Sequence, residues 1–190
     1  MKDFLPDIES CLSVLNAGGV ILYPTDTVWG LGCDATNPEA VAKIFTIKQR
    51  AESKSLIVLM SGERDILQHV AAPDLAVFDY LQTLTRPTTV IYENAIGLAE
   101  NILATDGSVG IRIVNETFCR NLIKRFRKPI VSTSANVSGQ PAPQHFSEVT
   151  DQIKNSVDYC VQYRQDDKSA ATASSVIKWN GAKPPTIIRP

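Results

Sequence analysis

The chain has 190 residues, 44% of them hydrophobic, and its 19 lysines and arginines nearly balance 20 aspartates and glutamates for a net charge of −1. This length and core content predict one domain spanning residues 1–190. The charge balance excludes whole-surface attraction to nucleic acid, so any basic site must be local. Cys11, Cys33, Cys119 and Cys160 form no CxxC pair and have no histidine at metal-ligand spacing. Buried or half-buried thiols in a reducing compartment are expected in place of a metal or redox site. No signal-peptide stretch opens the chain and no apolar run reaches transmembrane length, so a cytoplasmic protein is expected.

In chain order, Ile8, Leu12 and Leu15 recur at helical spacing over 7–17, and Gly18-Gly19 ends that pattern. Val20–Tyr23 is a short apolar run, read as a buried strand, and Pro24–Thr27 breaks it into a loop. Asn37-Pro38 is an N-cap and first-turn pair for a helix ending near Lys48. Ser55–Met60 reads as a strand, 62–70 and 73–84 as helices, and 88–92 and 109–113 as strands. A helix over Glu116–Arg127 carries Phe118, Leu122, Ile123 and Phe126. Pro129–Ser132 reads as a strand and Ser147–Asn155 as a helix. Strands near 157–161, 174–178 and 185–189 close the chain. The polar, small-residue stretch 162–173 is expected to be a mobile loop over a site. Helices and strands mix without strict alternation, which predicts a single α/β (α+β-like) layered domain with a mixed sheet.

Four segments carry candidate chemistry. Pro24–Gly32 places two threonine hydroxyls and Asp26 directly after a strand end, where open sheets bind ligands, although a polar turn held by Asp26 would look the same. Lys48, Arg50 and Lys54 fall within seven residues. If the helix stops at Lys48, Lys48 and Arg50 can turn toward one anion; otherwise they form a solvated helix end. Ser132-Thr133-Ser134-Ala135-Asn136-Val137-Ser138 is denser in small donors than a plain turn requires and suits phosphate, without being a GxxxxGK[ST] loop. The fourth group is scattered: Ser108, Arg112, Ser174, Ser175 and Arg189. Arg112 sits in an apolar strand and either pairs with an acid or holds a substrate carboxylate.

Together these segments resemble the YrdC-type threonylcarbamoyl-adenylate synthase family from about Gly18 to Arg189. The motifs run in order as PTDTVWGLG, KQR followed by KSL, RPTT at 86–89, VGIRI, STSANVSG, SSVI and the terminal IIRP. The chain departs from the family pattern at Trp29, usually Tyr, and at Ala51, Ser55 and Val114, usually Pro. Thr85-Arg86-Pro87 stands where Pro-Gly-Pro is usual.

The resemblance implies a twisted mixed sheet with helices around a concave, locally basic site. It implies synthesis of threonylcarbamoyl-AMP and pyrophosphate from L-threonine, bicarbonate and ATP with Mg²⁺. Partner threonylcarbamoyl-transferase proteins then modify adenosine 37 of tRNA. Carried over by position, Lys48 and Arg50 are expected to hold the triphosphate as the catalytic pair. Thr25, Trp29, Arg112, Ser132 and Ser174 are expected around threonine and its carbamate. Ser108, Ser134, Asn136 and Arg189 are expected on the nucleotide. No resident metal ligand is expected, since Mg²⁺ would be held mainly by the ATP phosphates, and His69 and His145 lie outside every motif. The alternative is an RNA-binding or regulatory module of this family without catalysis.

Overall fold

The computed structural model describes residues 3–51, 56–169, 171–181 and 183–190. Helix α1 (Leu5–Asn16) starts two residues before the expected position because Pro6 fits its first turn. It buries Ile8, Cys11 and Leu15 along one stripe. Gly18, at φ 70°, makes the turn into β1 (Ile21–Tyr23), a strand buried at every residue.

The next strand, β2 (Gly30–Gly32), lies just beyond the expected loop, in a stretch to which the sequence assigns no element. It pairs antiparallel with β1, bringing Tyr23 opposite Gly30. Two glycines give no alternation of side chains from which to read a strand. Their smallness is nevertheless what the packing uses. A Cβ on Gly32 would stand 2.6 Å from Tyr23 Cε1 and 2.9 Å from the Val131 carbonyl. Gly32→Ala is therefore expected to destabilise the protein by about 1–3 kcal/mol. Gly62→Ala, with nothing within 4 Å of its added Cβ, serves as the control. The midpoint of urea unfolding reads the difference, and equal midpoints would refute the steric account.

Helix α2 (Pro38–Lys48) begins as expected: the Asn37 side chain accepts from the Glu39 and Ala40 amides at 3.0 and 3.2 Å. It ends at Lys48, and Gln49 adopts φ 49°, which turns the chain sharply. Strand β3 (Ile57–Met60) follows, and the expected start at Ser55 lies outside the described residues, as does Lys54. Helices α3 (Glu63–His69) and α4 (Ala76–Gln82) are each shorter than their sequence ranges. Strands β4 (Thr88–Tyr92) and β5 (Val109–Ile113) occupy the expected residues. In α5 (Thr117–Phe126), Glu116 caps the first turn and Arg127, at φ 60°, ends the last.

Strand β6 (Ile130–Ser134) runs two residues further than expected, since Thr133 and Ser134 keep pairing with β2. The helix expected over 147–155 is broken. A 3₁₀ turn covers Phe146–Glu148, and Thr150 then caps the short α6 (Asp151–Lys154). Strands β7 (Tyr159–Cys160), β8 (Ser175–Asn180) and β9 (Lys183–Arg189) complete the chain.

Among the described residues the strands form one sheet in the order β7-β1-β2-β6-β3-β5-β4-β8-β9. The pairs β1/β7, β3/β5 and β4/β8 are parallel and the rest antiparallel, so the sheet is mixed as expected. Helices α1 and α5 pack on each other, with Phe4 edge-on to Phe118 at 5.9 Å. Cys11, Cys33 and Cys119 are buried and Cys160 is half-buried, all as free thiols.

Candidate active site

Strands β2, β6, β3, β5, β4 and β8 stand side by side, and residues from each line one cavity of about 410 Å³. Gly30, Gly110 and Ile57 line it with backbone and one aliphatic chain. Ser132 and Ser134 enter from β6, Thr89 from β4, and Ser174 from just before β8. Arg50, Arg112 and Arg189 bring guanidinium groups to the same space, and no carboxylate lines it among the described residues. A chain of net charge −1 thus gathers three cations around one cavity, which makes it an anion site by local arrangement.

Each arginine arrives by a different route. The left-handed turn at Gln49 takes Arg50 off the end of α2 and into the cavity wall. Arg112 comes from the middle of the sheet and is 3% exposed. Its Nη2 donates to Asp26 Oδ1 at 2.9 Å and to Thr27 Oγ1 at 3.2 Å. Of the two sequence readings of Arg112, the acidic partner is present in Asp26, and its Nε is buried with no acceptor among the described residues. Arg189 donates to the Ser174 carbonyl at 3.1 and 2.8 Å and to its hydroxyl at 3.3 Å. Burial lowers the pKa of Arg50; burial, then neighbouring Arg112 and Arg86, lowers that of Arg189. Crowded, partly desolvated cations of this kind gain from a bound anion.

Lys48 occupies another position. It is 1% exposed, and its ammonium donates to the carbonyls of Ser134 and Asn136 at 2.5 and 2.7 Å. The Ser138 amide donates in turn to the Lys48 carbonyl at 2.8 Å. Lys48 therefore ties the end of α2 to the serine-rich loop after β6. Burial first, and Arg50 second, hold its pKa down to about 8.

Four further expected residues are not among those that line the cavity. The Thr25 hydroxyl accepts from the Thr27 amide at 3.0 Å and donates to the Val28 carbonyl at 2.9 Å, so it shapes the turn. Trp29 faces away from the cavity and is tilted against Phe146 at 4.9 Å. The Ser108 hydroxyl donates to Asp106 at 2.6 Å. The Asn136 amide donates to the Val137 and Gln140 carbonyls and closes its own loop. Its Oδ1 and Ser138 Oγ remain buried without partners among the described residues. A loop satisfied so incompletely calls for water or ligand.

Sequence reasoning flagged Thr27 only as one hydroxyl of the Pro24–Gly32 segment, and missed Thr89 and Arg164. Thr89 is fully buried and shares a 2.9 Å hydrogen bond with Ser174. Its signal was available, as a threonine in an apolar strand whose hydroxyl needs a partner. Arg164, from the stretch read as a mobile loop, donates to the Thr25 carbonyl at 3.1 Å and pairs with Asp167 at 2.9 Å. The Tyr163 ring stacks on Phe118, so the first part of this stretch is anchored to the body of the protein.

A family model for the Sua5/YciO/YrdC domain, described as "Telomere recombination", matches residues 13–190. Threonylcarbamoyl-AMP synthase of Vibrio campbellii is 33% identical over 156 residues, covering 80% of this chain and 82% of that protein. Threonylcarbamoyl-AMP synthase of Coxiella burnetii is 34% identical over 145 residues, covering 74% and 76%. Among solved structures, P. abyssi Sua5 complexed with L-threonine superposes with a TM-score of 0.84 at 23% identity, over 96% of this chain and 53% of that one. The chain thus spans about half of that Sua5. E. coli YciO superposes with a TM-score of 0.79 at 19% identity, over 97% of this chain and 88% of that one. At these identities the two structures establish the fold. With the model matched over almost the whole length and relatives above 30% identity, the chain belongs to the Sua5/YciO/YrdC family.

Proposed function

We infer that this protein is a threonylcarbamoyl-AMP synthase, which condenses L-threonine, bicarbonate and ATP into threonylcarbamoyl-AMP and pyrophosphate. The observation that carries the reading is the cavity walled by Arg50, Arg112 and Arg189, with no carboxylate lining it among the described residues. The names of relatives such as the Vibrio and Coxiella proteins support it. The carbamate of threonine and ATP are both anionic, so charge neutralisation and positioning dominate the barrier.

The carbamate oxygen bonds to the α-phosphorus as the bond to the bridging oxygen breaks and pyrophosphate leaves. Arg50, beside Ser132 and Ser134, holds the phosphates and stabilises charge building on the leaving group. Arg112 offers its unpartnered Nε–H to the threonine carboxylate. Arg189 fixes Ser174, which with Thr89 forms a hydroxyl pair on the opposite wall. Lys48 holds the serine-rich loop in register with these groups and keeps a positive charge behind it. Mg²⁺ enters with ATP as part of the substrate. Among the described residues no three histidine, cysteine or acidic side chains cluster as a metal site. The neutral oxygens of the serine-rich loop suit a cation already held by phosphates.

The product feeds N6-threonylcarbamoyladenosine formation at position 37 of tRNA, through transferase proteins that take over the activated group. The cytoplasm, where ATP and tRNA are both present, is the compartment this reading assigns to the reaction. No helix among the described residues is long and apolar enough to cross a membrane.

The test is pyrophosphate release with ATP, Mg²⁺, bicarbonate and a panel of amino acids. Release is expected to require both bicarbonate and threonine. Release indifferent to either would overturn the reading.

A further inference from the structure

A second cavity, of about 490 Å³, opens where the parallel strands β3 and β5 end. Ser61 and Gly62 follow β3 into it, and Asn115 follows β5. Crevices outside the carboxyl ends of neighbouring parallel strands are where open sheets bind ligands. Its walls divide by chemistry. Phe78, Leu81, Leu84 and Ile113 form an apolar body, while Arg86 and Arg120 line the same cavity.

The charges facing this space leave a net positive balance. Asp26 is taken up by Arg112 at 2.9 Å. Glu63 accepts a hydrogen bond from Gln82 at 3.2 Å. Arg86 donates one hydrogen bond, to the Ala173 carbonyl at 3.2 Å. Arg120 makes no ion pair among the described residues. Two cations therefore face one remaining acid, over an apolar body large enough for a ring.

Two of these residues also hydrogen-bond residues that line the active site. Asp26 stands in the wall of the second cavity and holds Arg112, which lines the first. Arg86 holds Ala173, which lines the first cavity and precedes Ser174. We propose that this second cavity is an effector site for a small amphipathic anion, an apolar ring or chain bearing one acidic group, and that its occupancy is felt at the active site through Asp26 and Arg86. Coupling of this kind acts in both directions, so substrate and effector alter each other's affinity.

The probe is 8-anilinonaphthalene-1-sulfonate, which has the required ring system and single anionic group. Its fluorescence is expected to rise saturably with one site per chain. Arg120→Ala, an exposed substitution that leaves the core untouched, is expected to weaken binding roughly tenfold, the loss of one charge-assisted contact. Leu81→Trp, which fills the apolar part, is expected to weaken it as well. Equal affinity in wild type and Arg120→Ala, or one-for-one displacement of the probe by ATP, would overturn the site. The second arm rests on the synthase reading. At saturating probe the KM for threonine in pyrophosphate release is expected to shift in wild type and to stay constant in Arg120→Ala. A wild-type KM unmoved by bound probe would overturn the coupling. The fluorescence arm needs no turnover, so failure of the synthase reading leaves it interpretable.

Discussion

Lys48→Ala is expected to lower pyrophosphate release by roughly a hundredfold or more, and to reduce stability at the same time. Two charge-assisted hydrogen bonds, to the Ser134 and Asn136 carbonyls, disappear together with a buried four-carbon stem. A loss of about 3 kcal/mol is the scale for such a change, and for a domain of this size it lowers Tm by about 6–12 °C. Lys48→Met separates the two effects, because it keeps the apolar stem and removes only the ammonium. A folded Lys48→Met protein with normal turnover would refute a role for the charge. The pH dependence adds an independent check. Burial and Arg50 hold the Lys48 pKa at about 8, below its ordinary 10.5. Between those values the unfolded chain binds more protons than the folded one, so this group's contribution to stability rises with pH. Activity is expected to move the other way. Above pH of about 8 the ammonium behind the serine-rich loop is lost, and turnover falls while unfolding becomes harder. If turnover and stability rose together across that window, Lys48 would have no electrostatic role.

Arg112→Lys is the second large effect. Lysine keeps the charge but loses the planar fork whose Nη2 reaches Asp26 and Thr27 together and whose Nε–H is left without an acceptor among the described residues. The KM for threonine is expected to rise by roughly 10- to 100-fold, corresponding to one charged hydrogen bond of about 1.5–3 kcal/mol, with the KM for ATP little changed. Asp26→Asn acts on the same pair from the other side. Its side chain is 12% exposed and that of Arg112 is 3% exposed, so removing the carboxylate leaves a nearly buried guanidinium uncompensated. Loss of one partner from a buried pair costs about 3–5 kcal/mol, which thermal unfolding reads directly. An Asp26→Asn protein as stable as wild type would mean that water, and not the carboxylate, satisfies Arg112.

Local chemistry carried much of this structure into view from sequence. Asn37-Pro38 marks where α2 begins because an amide side chain and a fixed φ act within one turn. The limits of β4 and β5 follow from short apolar runs flanked by polar residues. The serine-rich loop stands out because few turns need so many hydroxyls. The hidden features are of another kind. Strand β2 has no side-chain pattern, since its glycines are selected by the ring of Tyr23 lying across them. The inward course of the Lys48 side chain is set by two carbonyls from a distant loop. Asp26 looks like a turn residue until the sheet brings Arg112 to it. Trp29 sits inside a motif yet turns its ring toward Phe146, while its neighbours Thr27, Val28 and Gly30 line the cavity.

Three of the bonds that build the active site span nearly half the chain. Arg112 reaches Asp26 across 86 positions of chain, Lys48 reaches the Ser134 carbonyl across 86, and Thr89 reaches Ser174 across 85. Closing such loops is unfavourable until the sheet that spans them exists, so contacts of this range form late in folding. The cavity is therefore a property of the completed sheet and of no smaller piece. A partly folded chain can hold its helices and its β3/β5 pair and still have no place to bind an anion. Catalytic competence and global folding rise and fall as one cooperative event.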